Sequence, residues 1–168
     1  MVVAKAESFH DSGMIATSDH AHVIAPPPLI AAAAAVAGIG LRQLWPLRLW
    51  PWPSTSIPAG LCFAGSLLLA APAFAGMLRM RTTVLPHHAT TALVTSGPFR
   101  FTRNPLYLAL GLVLTGLALA VNSMAMAVMI APWALVMRYG VIAREEHYLE
   151  GKFGEEYRAY CRRVRRWL

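Results

Sequence analysis

Hydrophobic positions in this chain fall in long uninterrupted runs, not in the alternation of a half-buried strand or the one-sided stripe of a soluble helix. Three runs stand out: an alanine-rich stretch over 29–44, one of about 21 residues over 57–77, and one of about 39 residues over 105–143. At 1.5 Å per residue, 21 residues cross a hydrocarbon core about 30 Å thick, and 39 residues cross it twice. Asn122-Ser123 divides the long run, so a tight helical hairpin is predicted, 105–121 followed by 124–143. The pattern therefore predicts an all-α integral membrane protein with about four transmembrane helices and a C-terminal amphipathic cytoplasmic helix. The period of two that a membrane β-barrel requires is absent.

Polar segments surround these helices. Residues 1–25 have no periodicity and read as a flexible N-terminal tail, ended by Pro26-Pro27-Pro28. His10, His20 and His22 lie there, but an unstructured tail brings no further ligands and no metal site is expected. Acids and histidines interrupt the first 25 residues, so a cleavable signal peptide is not expected. The chain then divides into 26–77, with two helices, and 78–168, with a polar loop, the hairpin and a charged tail. The tail is predicted to continue the fourth helix to about Gly151, break near Phe153-Gly154 and resume as a short helix over 155–164. Tyr157, Tyr160, Cys161 and Val164 make an amphipathic stripe on that short helix, while Arg162, Arg163, Arg165, Arg166 and Trp167 suit a segment lying on a membrane surface. Arg138, Ile142 and Glu145 fall on one face of a regular helix.

Composition agrees: 57% of residues are hydrophobic, 14% charged, and mean hydropathy is +0.48. Charge changes the picture. All eight Asp and Glu lie in the tails, with none between Asp19 and Glu145. The net charge of +7 comes from arginines beside apolar runs, where they set topology and meet anionic headgroups, so no nucleic-acid partner is expected. Lys5, the loop 78–104 and the tail after 143 hold twelve of the fifteen Lys and Arg, against Arg42 and Arg48 on the opposite side. The positive-inside rule then predicts both termini and the loop on the cytoplasmic face. Cys62 and Cys161 have neither disulfide-motif nor metal-ligand spacing.

Loop and tail thus emerge at one face, from the two ends of one hairpin. Gly97-Pro98 predicts a turn, and Asn104-Pro105 a helix start in which Asn104 caps free N–H groups. Arg100 and Arg103 have no acidic neighbour in sequence; they either anchor headgroups or grip a carboxylate or phosphate in bidentate fashion. Phe99, Phe101 and Tyr107 interleave with them as interface aromatics, or as faces for a cationic group or a flat base. Glu145-Glu146 directly follow the last apolar run, either as a solvated helix end beside Arg144 or as a carboxylate pair closing a polar cavity against the arginine loop. A non-enzymatic four-helix protein binding anionic lipid would carry these features too.

"LVTSGPFRFTRNPLYL", a hairpin and "REEHYLEGKFGEEYRAYCRRVRRWL" together resemble the isoprenylcysteine carboxyl methyltransferase and phospholipid methyltransferase superfamily, over roughly residues 81–168. The resemblance implies a membrane-embedded enzyme using S-adenosylmethionine, with its cofactor pocket at the cytoplasmic boundary and a lipid-like methyl acceptor entering between helices. It implies cofactor contacts by Arg100, Arg103, Asn104, Pro105, Tyr107, Glu145 and Glu146, and less specifically by Tyr157, Tyr160 and Arg163. Arg103, Asn104 and Glu146 are the catalytic candidates. A carboxylate acceptor needs no general base; a lipid amine needs one, and Glu146, Glu145 or His147 would supply it. Carboxyl O-methylation of an isoprenylcysteine-type group is the leading expectation, and N-methylation of a phospholipid amine its rival. This chain has Asn104 where eukaryotic members commonly have His, so no histidine base is expected there, and Arg165 where a proline is usual, which predicts a looser C-terminal end.

Overall fold

The computed structural model describes residues 23–50, 55–80 and 92–167. The elements run α1 (Pro27–Leu44), α2 (Ser56–Arg79), a 3₁₀ turn (Gly97–Arg100), α3 (Pro105–Ala120), α4 (Met124–Val128), α5 (Ile130–Val136), a π-helical segment (Met137–Ile142) and α6 (Ala143–Arg163). From α4 to α6 the chain forms one long, modulated helix. Among the described residues, three helices are long and apolar enough to cross a membrane: α1, α2 and Met124–Arg163. Helix α3, with 16 residues, spans about 24 Å. The protein is an all-α membrane protein.

Its packing is the reverse of a soluble bundle. Leu61, Leu67 and Leu68 of α2, Val36 of α1 and Leu135 of α5 point outward, as lipid-facing side chains do. The inward positions of α2 are Ala59, Ser66 and Ala73, seven residues apart, and those of α1 include Ala31 and Gly38. Small residues let membrane helices approach closely, because packing and not water expulsion drives their association. Gly38 is the tightest such approach to backbone: a Cβ there would sit 3.0 Å from Met126 Cα. Gly38→Ala is therefore expected to destabilise the bundle by about 1–3 kcal/mol, read as a lower melting midpoint in detergent, with Gly60→Ala, where nothing lies within 4 Å, as the neutral comparison.

The helices run up and down, so their ends gather in two groups. At one end Asn122, at φ 47°, turns the hairpin. Its side chain accepts from Trp50 N–H (3.0 Å) and donates to Trp50 C=O (2.9 Å), while Ser123 Oγ accepts from Met126 N–H. At the other end lie the start of α1, the end of α2, the start of α3 and the passage into α6, and here the polar loop and tail fold over.

Several local expectations are corrected. Asn104 makes no side-chain cap; its backbone carbonyl accepts from Tyr107 and Leu108, and its amide turns to the tail. The break expected near Phe153-Gly154 is present, at Gly154 with φ 51° and ψ −124°, and only the first stretch differs, running past Gly151 up to it. Arg138 and Ile142 do not share a face: Arg138 is exposed and Ile142 fully buried, because the π segment replaces α spacing between them. The amphipathic stripe packs on protein, with Tyr157, Tyr160 and Val164 buried against Leu93. Trp167 packs on the main core. Of the expected N-terminal tail, residues 1–22, including the three histidines, lie outside the described residues; Val23 is buried in the core.

Candidate active site

The gathered helix ends enclose a cavity of about 600 Å³, within the usual range for small-molecule sites. One arm is apolar and runs between α2 and α3, lined by Ser66, Ala70 and Met77 from the first and Leu106, Leu110 and Val113 from the second. Polar groups converge on the other arm, where α3 begins and α6 leaves the membrane region.

Glu146 is the centre of that arm. Its Oε1 lies 3.1 Å from Arg103 Nη1, and Arg166 grips it in bidentate fashion, with Nε donating to Oε1 at 2.9 Å and Nη2 to Oε2 at 2.5 Å. Two guanidiniums share one carboxylate, so a positive charge is left over. Arg103 also donates to Cys161 Sγ at 2.8 Å, and its Nε, buried, finds no acceptor among the described residues. Burial without a partner costs a donor free energy, and a ligand oxygen there would recover it.

Glu145 takes a different environment one residue away. Tyr107 OH donates to its Oε1 at 2.5 Å. Glu145 lies beyond the apolar run that ends at Ala143, yet burial pushes its carboxyl up to about 7, against the lowering effect of the Tyr107 hydrogen bond and with a further raise from Glu146. Two adjacent carboxyls thus sit in different environments: Glu146 is paired with two arginines, while Glu145 is buried and raised to about 7. Burial also raises the Tyr157 and Tyr160 phenols, which stay protonated; Tyr160 donates to the Phe99 carbonyl at 2.7 Å.

The tail closes the site through its backbone. Arg103 N–H donates to the Arg165 carbonyl at 3.0 Å, and the Arg166 carbonyl accepts from Thr102 Oγ1 at 3.2 Å and Asn104 Nδ2 at 2.9 Å. The looser end expected from Arg165 does not occur: the bonds use main-chain carbonyls, which any residue provides.

Of the residues singled out in the sequence, Arg103, Asn104, Pro105, Tyr107, Glu145, Glu146, Tyr157 and Tyr160 line this cavity, as does Phe99. Arg100, Phe101, His147 and Arg163 are exposed and stand outside its lining. Arg166 is the residue that the sequence did not single out. It is one of several arginines in the tail, and nothing in their order tells which one folds inward. Pro26–Pro28 and Tyr148 also line the cavity, without any signal in the sequence.

A family model for phospholipid methyltransferases matches residues 55–156, from the start of α2 into the tail helix. The chain belongs to the phospholipid methyltransferase family. The protein is accordingly a methyltransferase acting on a lipid-like substrate in a membrane. The matched span of this phospholipid methyltransferase family member contains Arg103, Asn104, Tyr107 and both glutamates; Arg166 lies beyond it. An uncharacterised protein of Haemophilus influenzae is 44% identical over 63 residues, covering 38% of this chain and all of that protein. No solved structure matches the chain.

Proposed function

We propose that the cavity binds S-adenosylmethionine and that this phospholipid methyltransferase family member methylates the carboxylate of an isoprenylcysteine-type lipid at the cytoplasmic face. The observation that carries the reading is the Arg103–Glu146–Arg166 network at the polar end of a largely apolar cavity. The residues present fit the cofactor: Arg103 keeps a buried unpaired donor for a carboxylate, Glu145 and Glu146 offer anions for an ammonium and a sulfonium, and Phe99, Tyr107 and Tyr157 offer aromatic faces. When bound, the cofactor supplies an electrophilic methyl group. The protein's part is to align the acceptor with it and exclude water. Two guanidiniums converge on one carboxylate, and that excess of basic groups favours a carboxylate acceptor. The apolar arm between α2 and α3 suits the acceptor's hydrocarbon chain. Twelve of the fifteen Lys and Arg on the side of the loop and tail support placing this end in the cytoplasm.

The rival reading, N-methylation of a lipid amine, draws on Glu145, whose carboxyl near 7 could hold the proton an amine must lose. Labelled methyl transfer to a farnesylated cysteine analogue and to phosphatidylethanolamine separates the two: a base-labile product supports the ester, a base-stable amine product overturns it. The cofactor reading is tested by binding of S-adenosylmethionine to the purified protein in detergent. Arg103→Ala is expected to weaken binding at least roughly tenfold, the loss of a charge-assisted contact; unchanged binding would point to another ligand.

Glu145 also predicts a pH dependence. Held above the ordinary carboxylate range, it is largely neutral at pH 6 and largely ionised at pH 7.5 or above. A cationic ligand prefers it ionised, so S-adenosylmethionine affinity is expected to rise several-fold across that interval, and Glu145→Gln to flatten the rise. Stability of the ligand-free protein runs the other way. Because the folded state holds this proton more tightly than the unfolded one, stability is lost as pH climbs through about 7. Opposed trends in affinity and melting midpoint are the signature; parallel trends would remove Glu145 from the site.

A further inference from the structure

The helix that delivers Glu145 and Glu146 is not regular where it approaches them. Over Met137–Ile142 it opens to π spacing. Such a segment takes up one extra residue in a turn, so everything after it emerges about 100° away from where an unbroken α-helix would put it. The burial pattern follows a step of five. Met137 and Ile142 are both fully buried, Arg138 and Ala143 are both exposed, and Gly140 and Glu145 both face inward. Short π segments inside α-helices concentrate at functional sites, and this one sets the rotation at which the two carboxylates meet Arg103, Arg166 and Tyr107.

A segment outside the helix packs against this opening. Ile24, in the short segment before α1, donates its N–H to the Gly140 carbonyl at 3.3 Å. Its side chain lies over Gly140, where a Cβ would come within 2.5 Å of Ile24 Cδ1. Val23 is buried in the same core cluster as Met137, Val141 and Ile142. Glycine at 140 lets the Cδ1 end of the exposed Ile24 side chain rest over the backbone, and it weakens the local preference for plain α-helix. The chain then passes directly into Pro26–Pro28, which form part of the cavity wall.

We infer that Val23 and Ile24 form a positioning brace that holds Met137–Ile142 in its π form and thereby sets the rotation of Glu145 and Glu146 into the cavity. The brace touches neither cofactor nor acceptor; it acts through the helix. Its consequence for binding rests on reading the cavity as the cofactor site, and the test keeps the two apart.

Ile24→Pro removes the N–H that reaches Gly140, and Gly140→Ala displaces Ile24 while favouring α-helix. Each is made in the full chain, with two readouts. The first is S-adenosylmethionine binding in detergent, expected to fall at least roughly tenfold as the glutamates rotate away. The second needs no cofactor: in a background with Cys62→Ala and Cys161→Ala, the pair Tyr107→Cys and Glu145→Cys is bridged by a short bifunctional thiol reagent. Bridging is efficient when the helix has its present rotation and drops when it turns. Deleting Tyr139, which is exposed, is the decisive addition. It removes the extra residue, so a plain α-helix then delivers the glutamates at nearly the present rotation, and bridging and binding are both restored.

A drop in bridging that the deletion reverses supports the brace; unchanged bridging, or a loss that the deletion leaves in place, overturns it. If Ile24→Pro does not fold, Gly140→Ala with and without the deletion gives the same decision. If bridging behaves as expected while even the unaltered protein fails to bind S-adenosylmethionine, the brace stands and the cofactor reading falls.

Discussion

Glu146→Gln is expected to give the largest loss of cofactor binding of any isosteric change in this protein. The substitution leaves shape almost untouched and removes one negative charge from between two guanidiniums. Arg103 and Arg166 then face each other without a counterion, in a site where the Glu146 side chain is only 18% exposed. Breaking a fully buried pair by removing one partner costs about 3–5 kcal/mol, and residual water access here reduces that to about 2–3 kcal/mol. That loss is read as a lower melting midpoint; repelled from each other, the arginines also lose the geometry that presents Arg103, and S-adenosylmethionine affinity should fall by more than roughly tenfold. The check is a binding isotherm beside a melting curve. A protein that melts lower yet binds as before would mean that the network is structural only, and that the cofactor lies elsewhere in the cavity.

Arg166→Ala should follow, with a smaller effect and a different pattern. Its carbonyl continues to accept from Thr102 and Asn104, so the tail stays docked. What disappears is the bidentate grip on Glu146, two charge-assisted bonds from a side chain that is 33% exposed. With that exposure the loss should be about 1–1.5 kcal/mol, near tenfold in affinity. Arg166→Lys restores charge without the fork and should recover only part of the loss, because a point charge cannot meet both oxygens in one plane. Arg163→Ala, on an exposed arginine that donates to the Ala159 carbonyl of its own helix, is the comparison and should bind as the unaltered protein does. Equal losses at 163 and 166 would mean that general surface charge, not this contact, supports binding.

The two predictions also mark where sequence and structure part. Arg103, Glu145 and Glu146 could be singled out because they are charges next to apolar runs, and charges in such places need a reason. The hairpin that joins them could be inferred from the length of the 105–143 run and from Asn122-Ser123 in its middle. Arg166 could not, because it sits among Arg162, Arg163 and Arg165 in a tail whose composition suits a surface segment equally well. Asn104 illustrates the same limit. Its place before Pro105 fits a helix cap, yet the folded tail offers its amide the Arg166 carbonyl instead, and a long-range acceptor displaces the local one.

The sequence by itself determined that this is an all-α membrane protein, where its helices lie, and which end of the bundle collects the arginines and glutamates. Those properties follow from run length, hydropathy and charge placement, which act locally and against a bilayer of known thickness. Only the tertiary structure decided which tail arginine closes on Glu146, that Tyr107 meets Glu145 and not Glu146, and that a π segment pressed by Ile24 sets their rotation. Each of these depends on the angle at which one helix meets another chain segment. A shift of one residue turns a helix by about 100°, and no local property of the sequence records that angle.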